Sequence, residues 1–306
     1  MFVANDALTA SPAVLKVLDG VVDLHCHSGP SPFPRRLNHV DASWDGARIN
    51  MRAILVKSHH HNTVMDLLAM ESQLAESPTP VYGGVALNTE EGGINPSAVA
   101  LSLGMGGRAV WAPTVSSAQH LKAHNHDDGF PAAALDLLEH EVSIFDGTGA
   151  VSADTVKVTQ QVAEAGALLA SGHLDGPSML ALFQTARDNG VTRMMLQHPD
   201  FIVQDTDEEI QAAIDLGAFV EHEIAMYHPQ VEAPRWPIER LIGYIEKFGP
   251  EHTVINSDLG QKANPLPVDG YILIVGQLLD HGVPEKDIRT MICHNTAYLL
   301  GLEEKP

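Results

Sequence analysis

Eight short apolar runs, each followed by a helical pattern that halts at or near a glycine, constrain this chain more than any other feature. The runs are Val21–His27, Ala53–His59, Val81–Leu87, Ala109–Val115, Ala167–His173, Arg193–His198, Ala218–Glu223 and Thr253–Asp258. Most stay apolar until their C-terminal ends, as parallel strands buried on both faces do. The helical segments between them carry physical start signals. Asn95-Pro96 supplies a cap followed by proline at the first helical position, and Thr206 with Glu209 forms a capping box. Gly166, Gly190, Gly217, Gly249 and Gly282 stand where helices must stop. Eight such alternations over 306 residues predict an α/β chain folded as a (β/α)8 TIM barrel, one domain spanning 1–306. The rival, an open doubly wound sheet, would carry a glycine-rich phosphate turn after its first strand. That turn instead reads His25-Cys26-His27-Ser28. One connection is long. Residues 116–166, between the fourth and fifth strands, are expected to form a lid or binding insertion. Its pattern predicts a helix over Pro131–His140, a hairpin over Val142–Val151 around Asp146-Gly147, and a helix capped by Ser152.

Composition narrows the partners. With 39 acidic and 18 basic side chains the formal net charge is −21, which repels nucleic acid and anionic membrane alike. A hydrophobic share of 44% is enough for a sizeable core and excludes a disordered chain. Cys26 and Cys293 cannot build a disulfide framework. Met1–Gly20 lacks an apolar signal core and no stretch is long enough to span a bilayer, so a cytoplasmic protein is expected. The expected partner is a small molecule; a homo-oligomer stays open.

The 17 histidines gather at strand ends. In Asp23-Leu24-His25-Cys26-His27 the alternation of a strand turns His25 and His27 to one face and Cys26 to the other, so two imidazoles can chelate one divalent metal. The fifth strand ends in Ser171-Gly172-His173, the sixth in Gln197-His198 and the eighth in Asn256-Ser257-Asp258. Four histidines and an aspartate on four strands thus converge on one mouth, and that convergence points to a metal site. His59 and His60 follow the second strand as candidate substrate contacts. The loop Gly29–Arg36 carries Arg35 and Arg36, and Lys57 and Lys262 lie just after other strands. Cations at one rim of so acidic a chain suggest an anionic substrate, with Arg35 as a candidate clamp for its carboxylate, or an oxyanion to stabilise. Glu221 and Glu223 share a face and either orient a ligand histidine or cap the rim. His124-Asn125-His126-Asp127-Asp128 reads as loop surface, and His120, Trp111 and Met226 read as packing.

His25-x-His27, His173, His198 and Asp258, in that order, resemble the metal-dependent amidohydrolase superfamily. Residues 295–302, Asn-Thr-Ala-Tyr-Leu-Leu-Gly-Leu, are similar to the Asn-Pro-Ala-x-Leu-Leu-Gly-Leu ending common there. The resemblance implies a (β/α)8 barrel holding one or two divalent ions, usually zinc, that activate water. It implies that His25, His27 and Asp258 bind a first metal, that His173 and His198 bind or neighbour a second, and that Asp258 takes the proton of the attacking water. Two-metal members bridge their ions with a carboxylated lysine or a glutamate from the fourth strand, and Ala109–Thr114 offers neither. Lys57 therefore has three readings: a bridge from an unusual strand, an ammonium presented to substrate, or a stem along the rim with its charge in solvent. Without a bridge, His25, His27, His173 and Asp258 would hold a single metal and leave His198 as acid or base. Mixed histidine and aspartate ligands suit zinc, manganese, iron and cobalt alike. The resulting expectation is a metal-dependent hydrolase opening an amide, cyclic amide or lactone of a small anionic molecule. The alternatives are a single-metal decarboxylase of an aromatic or unsaturated acid and, from another class, a non-catalytic metal-dependent ligand-binding barrel.

Overall fold

Every one of the eight runs forms a strand, and each strand is shorter than its run. The computed structural model describes residues 9–124, 137, 140–199, 201–231 and 236–305. In chain order the strands are β1 (Val22–Cys26), β2 (Ala53–Val56), β3 (Val81–Tyr82), β4 (Gly84–Ala86), β5 (Ala109–Trp111), β6 (Leu168–Ala170), β7 (Met194–Leu196), β8 (Phe219–Glu223) and β9 (Thr253–Asn256). All pair in parallel, β1 to β3 in one run and β4 to β9 in another. The third run is split at Gly83, so that β3 pairs with β2 while β4 pairs with β5.

The ring closes where β9 meets β1, through a parallel bridge between Cys26 and Leu259. His27 N donates to Leu259 O at 2.8 Å and Asp258 N donates to His25 O at 2.8 Å. Side chains complete this seam. Asn256 Oδ1 accepts from Leu24 N at 2.9 Å, and Asp23 Oδ1 accepts from Ser257 N at 3.0 Å. Ser257 Oγ donates to Asp23 Oδ2 at 2.6 Å. Burial pushes the Asp23 carboxyl up to about 6.

The seam also bends β1. Its register against β2 shifts between Asp23 and Cys26, so three β1 steps match two on β2. Val22 and Leu24 join the apolar cluster inside the barrel, with Leu55, Trp111, Leu168, Met195 and Phe219. Cys26 packs outward with Val56 and Leu259 against the helical layer. The bulge leaves His25 and His27 facing the mouth and Cys26 facing away, as the alternation predicted.

The floor of the barrel comes from the end of the described chain. Ala297, Tyr298, Leu299 and Leu300 are buried in the interior cluster. Asn295 Nδ2 donates to Pro250 O at 2.9 Å and Thr253 O at 2.8 Å, tying this segment to the start of β9.

The capping signals appear as predicted. Asn95 caps the helix Pro96–Gly104, Thr206 and Glu209 form a reciprocal capping box, and Ser152 caps Ala153–Ala165. Gly166, Gly190, Gly217, Gly249 and Gly282 all have positive φ. In the insertion, Phe145 and Val151 form an antiparallel bridge around the Asp146-Gly147 turn. The helix expected over Pro131–His140 lies outside the described residues except for Leu137 and His140. A short helix not anticipated from the sequence, Ala118–Ala123 capped by Ser117, opens the insertion. No helix among the described residues is long and apolar enough to cross a membrane.

Leu299 is fully buried in the floor. Leu299→Ala is expected to lower stability by about 2–5 kcal/mol, read from urea unfolding; a change below about 1 kcal/mol would mean the segment does not seal the barrel.

Candidate metal centre

The sequence-derived site residues come together just past the strand ends. His27 follows β1 by one residue, Lys57 follows β2 by one, and His198 and Asp258 follow β7 and β9 by two. At the last two the backbone itself turns, with φ of 50° at His198 and 47° at Asp258. Left-handed backbone is costly for residues other than glycine and concentrates at functional sites. Before His173, Gly172 has φ of 61°, and a Cβ there would lie 2.3 Å from Ala112 O. Only glycine lets β6 turn so close to its neighbour and deliver His173.

Three ligand atoms converge in a way that needs a cation. His27 Nδ1 is 3.1 Å from Lys57 O, which can only accept, so Nδ1 carries the hydrogen and Nε2 holds a lone pair. His25 Nδ1 is 3.3 Å from Glu221 Oε2, which fixes the same tautomer. Asp258 Oδ1 then lies 2.9 Å from His27 Nε2 and 3.4 Å from His25 Nε2. Burial holds both imidazoles neutral, His27 down to about 3 and His25 well below its ordinary value. Two imidazole lone pairs and a carboxylate oxygen facing one another repel unless positive charge lies among them; Lys57 Nζ, 3.1 Å from His25 Nε2, supplies part of it, and an ion beside His27 Nε2 and Asp258 Oδ1 would supply the rest. His25, His27 and Asp258 form one group of mutually close ligand atoms, and His25, His198 and Glu223 form another. A divalent metal fits this donor set.

Glu221 orients His25, as one sequence reading allowed. It is itself held by Gln197 Nε2 at 2.7 Å and Asn256 Nδ2 at 2.6 Å. Glu223 pairs with His198 Nδ1 at 3.1 Å and accepts from His198 N at 3.0 Å. Burial disfavours an imidazolium at His198, but the charge of Glu223 outweighs it and raises the pKa. Burial raises Glu223 and Glu221 in turn. Burial pushes the Asp258 carboxyl up, and positive charge or a hydrogen donor facing it from the His25 and His27 side pulls it down.

Lys57 departs from one of its readings. Its side chain is wholly buried, with Nζ 3.1 Å from His25 Nε2 and 5.9 Å from the Trp111 ring, so its charge does not reach solvent. Burial brings the ammonium down to about 8, against the pull of Asp258, Glu221 and Glu223. Arg35 also turns inward. Burial lowers it to about 10 and Asp258 opposes the shift. Its Nε and Nη2 have no hydrogen-bond partner among the described residues. The other two rim cations do not join them: Arg36 Nη1 donates to Asn264 O at 3.1 Å, and Lys262 is exposed.

A cavity of about 150 Å³ opens on this centre, lined by His27, His59, His120, His124, His173, His198, Phe201, Ile202 and Asp258. His59 Nδ1 meets Thr114 Oγ1 at 2.8 Å, and its ring centroid is 5.1 Å from that of His27. His60 lies off the cavity against Phe33, with ring centroids 4.6 Å apart. His173 has a buried, unpartnered Nε2, while its Nδ1 is 2.9 Å from His120 Nδ1. His120 is therefore not mere packing and His124 is not loop surface; both line the cavity, and residues 125–128 lie outside the described residues. His120 and His124 stand four apart, one helical turn, and that spacing behind a capping Ser117 was the signal available in the sequence. Trp111 and Met226 are buried core residues, as read.

Solved structures share this architecture. An amidohydrolase from Pseudomonas aeruginosa aligns over 95% of this chain and 98% of its own at 14% identity and a TM-score of 0.64. The probable dipeptidase PvdM from Pseudomonas aeruginosa aligns over 95% and 98% at 12% identity and 0.61. A phosphotriesterase homology protein from Escherichia coli, solved with phosphate in its active site, aligns over 92% and 98% at 16% identity and 0.52. The chain thus shares the fold of these proteins. By sequence the chain belongs to DUF6282, a family of unknown function, whose model matches residues 20–221. A comparison with curated proteins finds no match.

Two measurements on Lys57→Met separate its remaining roles. A bridging Lys57 predicts that metal content per chain, by elemental analysis, falls by about one equivalent; unchanged content excludes the bridge. In metal-free protein the wild type should gain stability over the variant as pH rises from about 8 to 10.5, by roughly 3 kcal/mol. The sign follows because the unfolded lysine binds the proton in that window and the folded one does not. Denaturant midpoints at the two pH values check it.

Proposed function

We propose that this protein is a metal-dependent hydrolase that opens an amide, cyclic amide or lactone carbonyl in a small anionic molecule. The observation that carries the reading is the meeting of His25 Nε2, His27 Nε2 and Asp258 Oδ1, three potential metal-ligand atoms within 4.8 Å of one another. His25, His27 and Asp258 would hold the ion, with His173 beside them; zinc, manganese, iron and cobalt all suit these donors. When bound, such an ion acidifies water and polarises a carbonyl.

The chain's own groups supply the rest. Beside a bound ion the Asp258 carboxylate, 2.9 Å from His27 Nε2, would be placed to take a proton from the attacking water. His198, pushed toward the imidazolium by Glu223, stands ready to protonate the leaving group. Two titratable groups driven in opposite directions within one mouth are the arrangement acid–base catalysis requires. Arg35 offers Nε and Nη2 to a carboxylate of the substrate. Phe201 and Ile202 supply the apolar wall of a cavity of about 150 Å³, which admits a small ring or chain.

The same unpaired guanidinium supports a second reading, decarboxylation of an aromatic or unsaturated acid at a single-metal site, with His198 delivering the proton that replaces the carboxyl group. Metal-loaded protein should release acid from carboxylate-bearing amides and lactones in a pH-stat. Release of carbon dioxide from a panel of acids, without amide or lactone cleavage, would transfer the assignment to the decarboxylase. Binding of both panels without turnover would leave a non-catalytic barrel. Arg35→Gln is expected to raise KM about tenfold or more for the carboxylate substrate, with kcat changed less. An unchanged KM would remove Arg35 from substrate binding.

A further inference from the structure

Outside the cavity, one carboxylate gathers two histidines. Asp66 lies on the helix Thr63–Ala69. Its Oδ2 is 2.6 Å from His61 Nε2 and 3.5 Å from His39 Nε2. Each imidazole turns its other nitrogen to a serine. His39 Nδ1 is 2.7 Å from Ser28 Oγ, and His61 Nδ1 is 2.8 Å from Ser58 Oγ. A carboxylate has no hydrogen to give, so it places the His61 proton on Nε2 and leaves Nδ1 to accept from Ser58 Oγ. Ser58 Oγ then keeps a lone pair for His60 N, at 3.3 Å. His39 Nε2, at 3.5 Å, faces the same charge without a hydrogen bond to it. One charge thereby sets the direction of the hydrogen bonds along the Ser58 arm.

The two serines are not arbitrary neighbours. Ser28 follows His27, and Ser58 follows Lys57. The Lys57–Ser58 segment also controls His27 directly, because Lys57 O receives His27 Nδ1–H at 3.1 Å. Lys57 N in turn donates to Cys26 O at 2.9 Å. Moving Ser58 therefore moves a carbonyl that fixes one imidazole and the backbone that carries the buried ammonium. Ser28, His39 and Ser58 are buried, so neither serine is placed to react with a ligand; their part is to hold the chain.

We propose that Asp66 is a positioning residue which, through the hydrogen-bonded Ser58–His61 arm, sets the ring orientation of His27 and the place of the Lys57 ammonium from outside the cavity. The proposal rests on reading His27 as a cation-holding residue only for its effect on affinity; its structural core concerns tautomers and stands without turnover.

The test uses full-length protein with histidine labelled in nitrogen-15, free of metal. Long-range proton–nitrogen spectra report which ring nitrogen carries the hydrogen. The wild type should show His27 as the Nδ1–H form and His61 as the Nε2–H form. In Asp66→Asn, His61 should lose that preference and the His27 resonances should shift or split, with Asp66→Glu restoring them. Ser58→Ala cuts one arm while keeping the carboxylate, so it decides the matter if Asp66→Asn fails to fold. Titration with zinc ions alone should then give about tenfold weaker affinity in both variants. A merely structural role for Asp66 would lower the melting temperature and leave the His27 signals in place. The proposal is overturned if the His27 resonances of either folded variant superimpose on those of the wild type. A protein that passes this test yet hydrolyses nothing would overturn the catalytic reading and leave the positioning role standing.

Discussion

A fully buried ammonium is the constraint around which the mouth of this barrel is organised. An isolated charge on Lys57, taken out of water, would cost many kcal/mol or give up its proton. Glu221, Glu223 and Asp258 all act to keep it charged, and Trp111 lies beside it. Those carboxylates are buried in their turn and need partners, which Gln197, Asn256 and the histidines provide. No member of the set can be removed without leaving another unpaired, and this interdependence is typical of polar networks in low dielectric. A divalent ion among His25, His27 and Asp258 would relieve the remaining repulsion. Metal affinity and fold stability are on this view coupled through the same few groups.

Much of this was legible in the chain itself, and the reasons are local. Parallel strands buried on both faces read as apolar runs, so all eight could be placed. The site lies where such strands end, so His25, His27, His173, His198 and Asp258 announced themselves as polar residues at the ends of apolar runs. Glu221 could be read as an orienting group because Glu221-His222-Glu223 alternates in and out on a strand. What stayed hidden depends on contacts between distant segments. The β1 bulge arises from closing the ring against β9, and nothing near Leu24 shows it. His120 looked like packing because its role follows from a short helix folding back over His173. The burial of Lys57 could not be separated from a lysine reaching solvent, because the sequence does not show which rim positions the loops cover. Asp66 carries no local sign of its role; it acts across helix and loop on residues 38 positions apart.

The division of labour within the barrel is correspondingly sharp. The strands contribute apolar side chains to the interior cluster, and the polar residues gather at and just past their C-terminal ends. Turning the chain at His198 and Asp258 themselves makes the polar side chain and the corner one residue, so these side chains inherit the rigidity of the sheet rather than the freedom of a loop. Beyond the strands, Phe33 and Arg35 follow β1, and Phe201 and Ile202 follow β7, where Gln119 Nε2 donates to Ile202 O at 2.9 Å.

The floor of the barrel has a consequence for how the chain is made. Every strand has been synthesised by residue 256, yet the side chains that stop the open end, Ala297 to Leu300, come some forty residues later. The interior of the sheet therefore cannot be sealed until these last residues have been made. Until then Leu168, Phe219 and their neighbours lack that cover. The outer helix Pro267–Asp280, which arrives first, covers the wall but not that opening.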